Sequence, residues 1–261
     1  MCGRFTQERP TSELAEIFEA EDLAAEDLAG EDLAADGDVA AGRFNIAPTD
    51  DAAVVVQRED RRAIRAYRWG LIPHWAESAK VGSRMFNARA ETLAASPVFR
   101  DAFRRRRCLV PVDSFYEWRR EGRIRQPFRV VRADGRPFAL AGLWAGWHDP
   151  ETDEVRRSFT IVTTGPNELM RAIHNRMPVV VPEAAWDRWL DPSLPDPGEL
   201  QGLLVPAEDG SLEAFEVSRA VNDVRNDGPG LILPIDRVEA STRPEAPEPL
   251  ELPFEVPPEE R

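Results

Sequence analysis

Short stretches of alternating or continuous apolar residues recur along the middle of the chain, each bounded by turn-forming residues. Segments 52–57, 64–69, 108–112, 127–132, 138–147 and 158–164 have this pattern, which predicts strands. A different period appears near the start, where Leu14, Ile17 and Phe18 fall at i, i+3 and i+4. That spacing predicts a short amphipathic helix over 11–20, capped by Thr11 or Ser12. Two more helices are predicted at 166–174 and 182–190, the latter starting at Pro182 with Trp186 and Trp189 on one face. The run "EDLAAEDLAGEDLAADGD" repeats every five residues, so its leucines drift around a helix and form no steady stripe. Segment 19–38 therefore reads as an acidic surface insertion, helical in part and without chemistry of its own. The tail over 239–261 is acidic and rich in proline, the composition of a disordered segment. The whole pattern is α+β with a mainly antiparallel sheet, since βα alternation is too sparse for a doubly wound fold. One domain over 1–238 is expected.

Composition narrows the classes. Asp and Glu number 47 against 33 Lys and Arg, a net charge of −14, and Lys80 is the only lysine. Bulk acidity speaks for solubility and against nucleic-acid binding. Local clustering can override it, because the carboxylates concentrate in 19–38 and in the tail while 100–107 reads "RDAFRRRR". No run of 18 apolar residues occurs and the opening residues lack the apolar stretch of a signal peptide, so a cytoplasmic protein that does not enter membranes is expected. The two cysteines, Cys2 and Cys108, suit a reducing compartment, and no Cys/His cluster has zinc-ligand spacing. No metal or cofactor is expected.

Cys2 is the first chemical puzzle. Removal of one methionine would make it N-terminal, placing an α-amine and a thiol on adjacent carbons. A covalent nucleophile, a lipidation site and an ordinary small apolar residue are the competing readings, and the second lacks its apolar leader. Five further clusters combine aromatic residues with a polar or charged group: "RFNIAPTD" at 43–50, "RWGLIPHW" at 68–75, "MFNARAET" at 85–92, "LVPVDSFYEW" at 109–118 and "AIHNRMPVVV" at 172–181. Each alone is compatible with a sheet edge and a tight turn. Glu117, between Tyr116 and Trp118 after an apolar strand, is suited to proton transfer, and His174 sits in a basic loop containing asparagine.

Taken in order, Met-Cys-Gly-Arg-Phe, Asn-x-Ala-Pro, Trp-Gly-Leu-Ile-Pro-x-Trp, Asn-Ala-Arg-x-Glu-Thr, Phe-Tyr-Glu-Trp and Ile-His-x-Arg-Met-Pro resemble the SRAP family, the SOS-response-associated, abasic-site-processing proteins. The resemblance runs from residue 1 to about 235. It implies a barrel-like β core flanked by short helices. It also implies a sensor of abasic sites in single-stranded DNA that captures the lesion covalently through Cys2 as a thiazolidine, with Met1 removed by peptidase-like self-processing, a role in DNA repair under the SOS response. The Schiff-base step is lyase-like. Carried over residue by residue, Cys2, Asn87, Glu117 and His174 are catalytic, and Arg4, Trp75, Arg89, Trp118 and Arg176 contact DNA. Pro97 departs from the pattern, standing where some relatives carry a DNA-contacting arginine; Arg100 is the nearest substitute. A monomer is expected. Two other classes stay open: a class II glutamine amidotransferase, which also begins Met-Cys-Gly although no Asn-Gly dipeptide occurs here, and a non-catalytic single-strand binder.

Overall fold

The computed structural model describes residues 2–28, 42–194 and 197–235. The first strands and helices are β1 (Phe5–Gln7), α1 (Thr11–Ile17), β2 (Ala20–Asp22), α2 (Ala24–Leu28), β3 (Arg43–Ile46), β4 (Asp51–Arg58) and β5 (Arg61–Trp69). β6 (Asn87–Arg89), α3 (Arg100–Arg105), β7 (Arg107–Val112), β8 (Ser114–Glu121) and β9 (Ile124–Arg132) follow. The last are β10 (Phe138–His148), β11 (Val155–Thr164), α4 (Glu168–Arg171), β12 (Met177–Pro178), β13 (Val180–Val181), α5 (Trp186–Leu190) and β14 (Leu212–Glu216).

All six predicted strands are present, and they build a closed barrel together with a second sheet. Strands β11, β10, β7, β4 and β5 lie side by side, and a parallel pairing of β5 with β11, Ser158 to Arg68 and Phe159 to Trp69, closes the ring. The other neighbours in that ring are antiparallel. The second sheet has the order β14-β9-β8-β1-β3. Strand alternation divides the staves between two apolar clusters. Ala53, Val55, Leu109 and Ala141 pack with Leu14, Phe18, Phe103 and Trp189 of the helical side. Val54, Val56, Cys108 and Val110 pack with Trp69 and Phe159 and with Phe5, Phe115 and Val130 of the second sheet.

The predicted helices form but are shorter, and one acidic segment does more than expected. Helix α1 ends at Ile17, and Pro10 occupies its N-cap with no capping side chain, its carbonyl accepting from Glu13 and Leu14. The expected caps fail because Thr11 lies inside the first turn, where its hydroxyl donates to Asp22 at 2.7 Å. Helix α4 covers only 168–171 with Asn167 as its N-cap, and the segment after Pro182 is a 3₁₀ turn leading into α5. The first part of the acidic repeat is built into the fold, correcting its reading as a surface insertion. Strand β2 pairs in parallel with β5, Leu23 is buried, and Asp27 accepts from the Ala66 amide at 3.0 Å while pairing with Arg65. Residues 29–38 and the tail 239–261 lie outside the described residues. Among the described residues no helix is long and apolar enough to cross a membrane.

Two close contacts position the loop that carries the third motif. Gly70 has φ of +131°, and a Cβ there would stand 2.6 Å from the Gly82 carbonyl oxygen; one on Gly82 would stand 2.5 Å from that of Gly70. Only glycine allows this approach, which returns the chain after Gly82 so that Phe86 and β6 run beside β11.

On the helical side Arg107 joins two helix ends. It is 3 % exposed and donates to the carbonyls of Phe103 (2.7 Å), Arg104 (2.6 Å), Trp189 (2.6 Å) and Asp191. These are the last carbonyls of α3 and α5, so carbonyl dipoles meet its charge, and burial pulls its pKa below the usual arginine range. Arg107→Met should therefore cost about 3 kcal/mol or more, because buried acceptors lose their donor. Denaturant unfolding of the two proteins measures this, and a change below about 1 kcal/mol contradicts it.

Candidate functional site

The N-terminal segment reaches the core through β1, which pairs with both β3 and β8. A polar network holds it there. Glu8 accepts from Thr6 at 2.8 Å and pairs with Arg129 of β9, whose Nε donates to Ser114 at 2.9 Å. The Glu8 amide donates to Asp113 at 2.6 Å. Gln7 stands in for a missing strand partner, donating to the carbonyls of Ala53 and Pro111 at 2.8 Å each and accepting from Ala53 at 3.0 Å. Cys2 is thereby fixed with no exposed surface, its thiol donating to the Arg4 carbonyl at 3.9 Å. Burial, reinforced by the Glu117 charge, pushes this thiol up to about 12.

Asn87 meets Cys2 from the barrel. Trp69, packed on Phe5 with centroids 4.9 Å apart and stacked on Phe159, donates its indole N–H to the Phe86 carbonyl at 2.8 Å. The next residue, Asn87, donates from Nδ2 to the Cys2 carbonyl at 2.6 Å. Its Oδ1 is buried and has no hydrogen-bond partner among the described residues, leaving an acceptor beside the Cys2 backbone.

Glu117 and His174 share a groove of about 680 Å³ whose walls include Trp118, Arg119, Arg120 and Arg125. Glu117 is 2 % exposed, on β8 opposite Phe128. His174 follows α4, and the Arg176 amide donates to its Nδ1 at 3.1 Å. The Arg176 carbonyl oxygen lies 3.4 Å from the same nitrogen, so both backbone groups of Arg176 flank Nδ1 and orient the ring. Among the described residues no three His, Cys, Asp or Glu stand together to hold a metal ion.

The structure sorts the arginines and tryptophans differently from the sequence reading. Arg4, expected to contact phosphate, is 8 % exposed; its Nη1 donates to Asn45 (2.7 Å) and the Val221 carbonyl (2.8 Å). Asn45 in turn donates to the carbonyls of Asp223 (3.1 Å) and Asn226 (2.7 Å), and Asn222 accepts from the Trp118 indole at 2.7 Å. Arg4 thus tethers the 221–226 turn, whose Asn222 bonds Trp118, with its Nη1 committed to Asn45 and Val221. Arg176 is committed as well: it grips Glu91 with both Nη atoms, at 2.5 and 3.0 Å, and donates to the Thr163 carbonyl at 2.6 Å. That grip holds the Glu91 carboxyl below its usual range. Arg89, on β6 two residues after Asn87, is exposed and has no ion pair among the described residues. Trp75 is 55 % exposed on the loop after β5 and is not a wall of the groove. Arg100 is exposed and lies 3.7 Å from Asp101. Residues 21–28 contribute no groove wall either. The sequence reading passed over the β8–β9 arginines, although "WRREGRIRQ" alternates arginines around a glycine, the signature of a basic hairpin.

Comparison with known proteins identifies the family. The family model described as SOS response associated peptidase (SRAP) matches residues 1–224. The abasic site processing protein YoqW of Bacillus subtilis (strain 168) is 39% identical over 233 residues, covering 89% of this chain and 99% of that protein. The abasic site processing protein YedK of Escherichia coli (strain K12) is 32% identical over 238 residues, covering 90% and 100%. An X-ray structure of a protein from Bacteroides thetaiotaomicron shares the fold at a TM-score of 0.75 and 24% identity, covering 89% of this chain and 99% of that one. With the family's pattern matched from residue 1 to 224, the chain belongs to the SRAP family.

Proposed function

We propose that the protein captures abasic sites in single-stranded DNA by a covalent bond to Cys2, the family's abasic-site processing carried out here by a terminal aminothiol. The observation that carries this reading is the clustering around Cys2: Asn87 on its carbonyl, the Glu117 charge beside its thiol, and His174 across the same groove as Glu117. Hydrolysis of the Met1–Cys2 bond by one water, as self-processing, frees the α-amine. An α-amine titrates near 7.7–8.0 in peptides, so a usable fraction is unprotonated at neutral pH. It adds to the ring-opened aldehyde carbon to form a carbinolamine. Loss of water gives an iminium, with Glu117 relaying the protons. The Cys2 sulfur then bonds to the same carbon, its proton leaving through Glu117, and the five-membered ring closes. One water is released and nothing is oxidised or reduced. His174 takes the role of general acid toward the sugar oxygen as the furanose opens.

The high thiol pKa fits this order of events. A thiol held protonated does not compete with the amine for the aldehyde, and it becomes nucleophilic only when Glu117 takes its proton. Arg89 is the exposed cation next to Asn87 for a backbone phosphate, and Trp118 supplies a stacking surface. A glutamine amidotransferase would instead hydrolyse glutamine, and a simple single-strand binder would bind with or without Cys2.

Mixing the Cys2-terminated protein with single-stranded DNA carrying one abasic site should yield an adduct that survives heating in denaturant. Cys2→Ala keeps an amine but no sulfur, so its complex should need borohydride to be trapped; an untreated adduct of equal stability would sink the ring closure. Glu117→Gln should slow adduct formation by about a hundredfold or more, as expected for loss of a positioned proton relay, and unchanged single-turnover rates would remove Glu117 from the chemistry. Finally, the thiolate fraction of a group titrating near 12 still rises tenfold per pH unit at pH 10, where an ordinary thiol levels off. Alkylation of the Cys2 peptide in the native protein, followed by mass spectrometry, should climb through pH 10 without a plateau, and a plateau near pH 9 contradicts the assignment.

A further inference from the structure

The β8–β9 hairpin is a two-stranded ribbon that carries three arginines with no evident internal use. Its strands pair Arg120 directly with Arg125 and Glu121 with Ile124. Gly122 makes the turn with φ of +62°, the first position of a type II′ turn, and Arg123 follows it. Arg120, Arg123 and Arg125 are exposed, and none has a carboxylate within ion-pair distance among the described residues. Like charges directly opposite across a ribbon repel. In a chain with a net charge of −14, counter-charges are plentiful, and Arg43, Arg62, Arg129, Arg132 and Arg176 are among the arginines that have found one. Arg120 and Arg125 nonetheless line the same groove as Glu117 and His174.

We infer that the Arg120/Arg125 pair is a phosphodiester site for the DNA strand flanking the abasic sugar, an inference that rests on the reading of Cys2 above. Two guanidinium groups on adjacent strands can both bond one phosphate or grip two successive ones. The bound anion removes the repulsion that the free ribbon carries. The pair lies along β8 from Glu117, so it meets the backbone to one side of the lesion, while Arg89 on β6 belongs to a different sheet. Arg119 is not part of this site, since it pairs with Glu216 at 2.9 Å and lies over the Phe128 ring. The site confers directionality: strand on one side of the lesion is held by the hairpin, and strand on the other is not.

Full-length protein and three single strands of equal length test this, with a tetrahydrofuran abasic analogue at the 5′ end, in the middle or at the 3′ end. The analogue has no aldehyde, so binding stays non-covalent. Dissociation constants are measured across a salt series for wild type and for Arg120→Ala/Arg125→Ala. Each phosphate contact on a single strand contributes about 0.7 to the slope of log affinity against log salt. The double variant should lose about 0.7 to 1.4 of slope on the central analogue and on one end-placed analogue, and nothing on the other. Arg120→Lys/Arg125→Lys should keep the slope. Arg136→Ala, which changes net charge on the connection between β9 and β10, should leave it unaltered. The melting temperature of the double variant should equal or exceed that of wild type, because removing paired like charges relieves the ribbon. An unchanged slope on all three strands, or equal loss on both end-placed strands, overturns the site. Wild-type adduct formation with a true abasic strand, measured in parallel, separates the outcomes: a normal adduct with an unchanged slope removes the hairpin site alone, and no adduct with no binding removes both readings.

Discussion

The parallel contact between β5 and β11 is the constraint on which the rest of the architecture depends. It is only two residue pairs long, yet it turns an open five-stranded run into a ring, and closure abolishes both sheet edges at once. Trp69 sits at this seam, stacked on Phe159 across the closing strands, against Phe5 from the second sheet, and bonded through its indole to the Phe86 carbonyl. One side chain thereby sets the relative positions of the barrel, the N-terminal strand and the asparagine that holds Cys2. The Gly70–Gly82 approach serves the same end, because the chain that leaves Trp69 must return immediately to deliver Asn87.

Arginine does two separable jobs in this molecule. Arg4, Arg107 and Arg176 are structural, each spreading its donors over carbonyls or a carboxylate drawn from distant parts of the chain. A guanidinium suits this because it stays charged when buried and offers five donors in a rigid plane. Arg89 and Arg120, Arg123 and Arg125 of the hairpin remain exposed instead. The acidic total therefore says little about the groove. What matters is which cations have been claimed by an internal partner.

The staves of the barrel were legible because runs of six to eleven residues, alternating or continuously apolar, average out local irregularities, and all six predicted segments are strands. Strands β1, β3 and β6 were hidden inside the motifs themselves, since three or four residues carry no usable period and several of them, Thr6, Gln7 and Asn45, are buried polar groups. Arg4 shows the limit most plainly. The family resemblance implied a phosphate contact there, and nothing in the local sequence announces the turn more than 200 positions later, at Val221, to which its Nη1 is bonded. The acidic repeat failed for a related reason. The same Glu-Asp-Leu-Ala unit is a strand at Glu21 and a helix at Glu26, so tertiary partners on β5 decide what local propensity leaves open. Cys2, Asn87, Glu117 and His174 were readable as a group through the family resemblance, and the structure places the first two in direct contact and the last two on one groove.

The tether between Arg4 and the 221–226 turn has a consequence for the order of events during synthesis. Arg4 and the Val221 carbonyl that it grips are separated by 217 positions, so during synthesis the arginine appears long before its partner. Until residue 226 has emerged, Arg4 and Asn45 lack the carbonyls they grip and Trp118 lacks Asn222. The N-terminal strand therefore gains this clamp only after the 221–226 turn has been made, and until then it must be held by β3 and β8 alone.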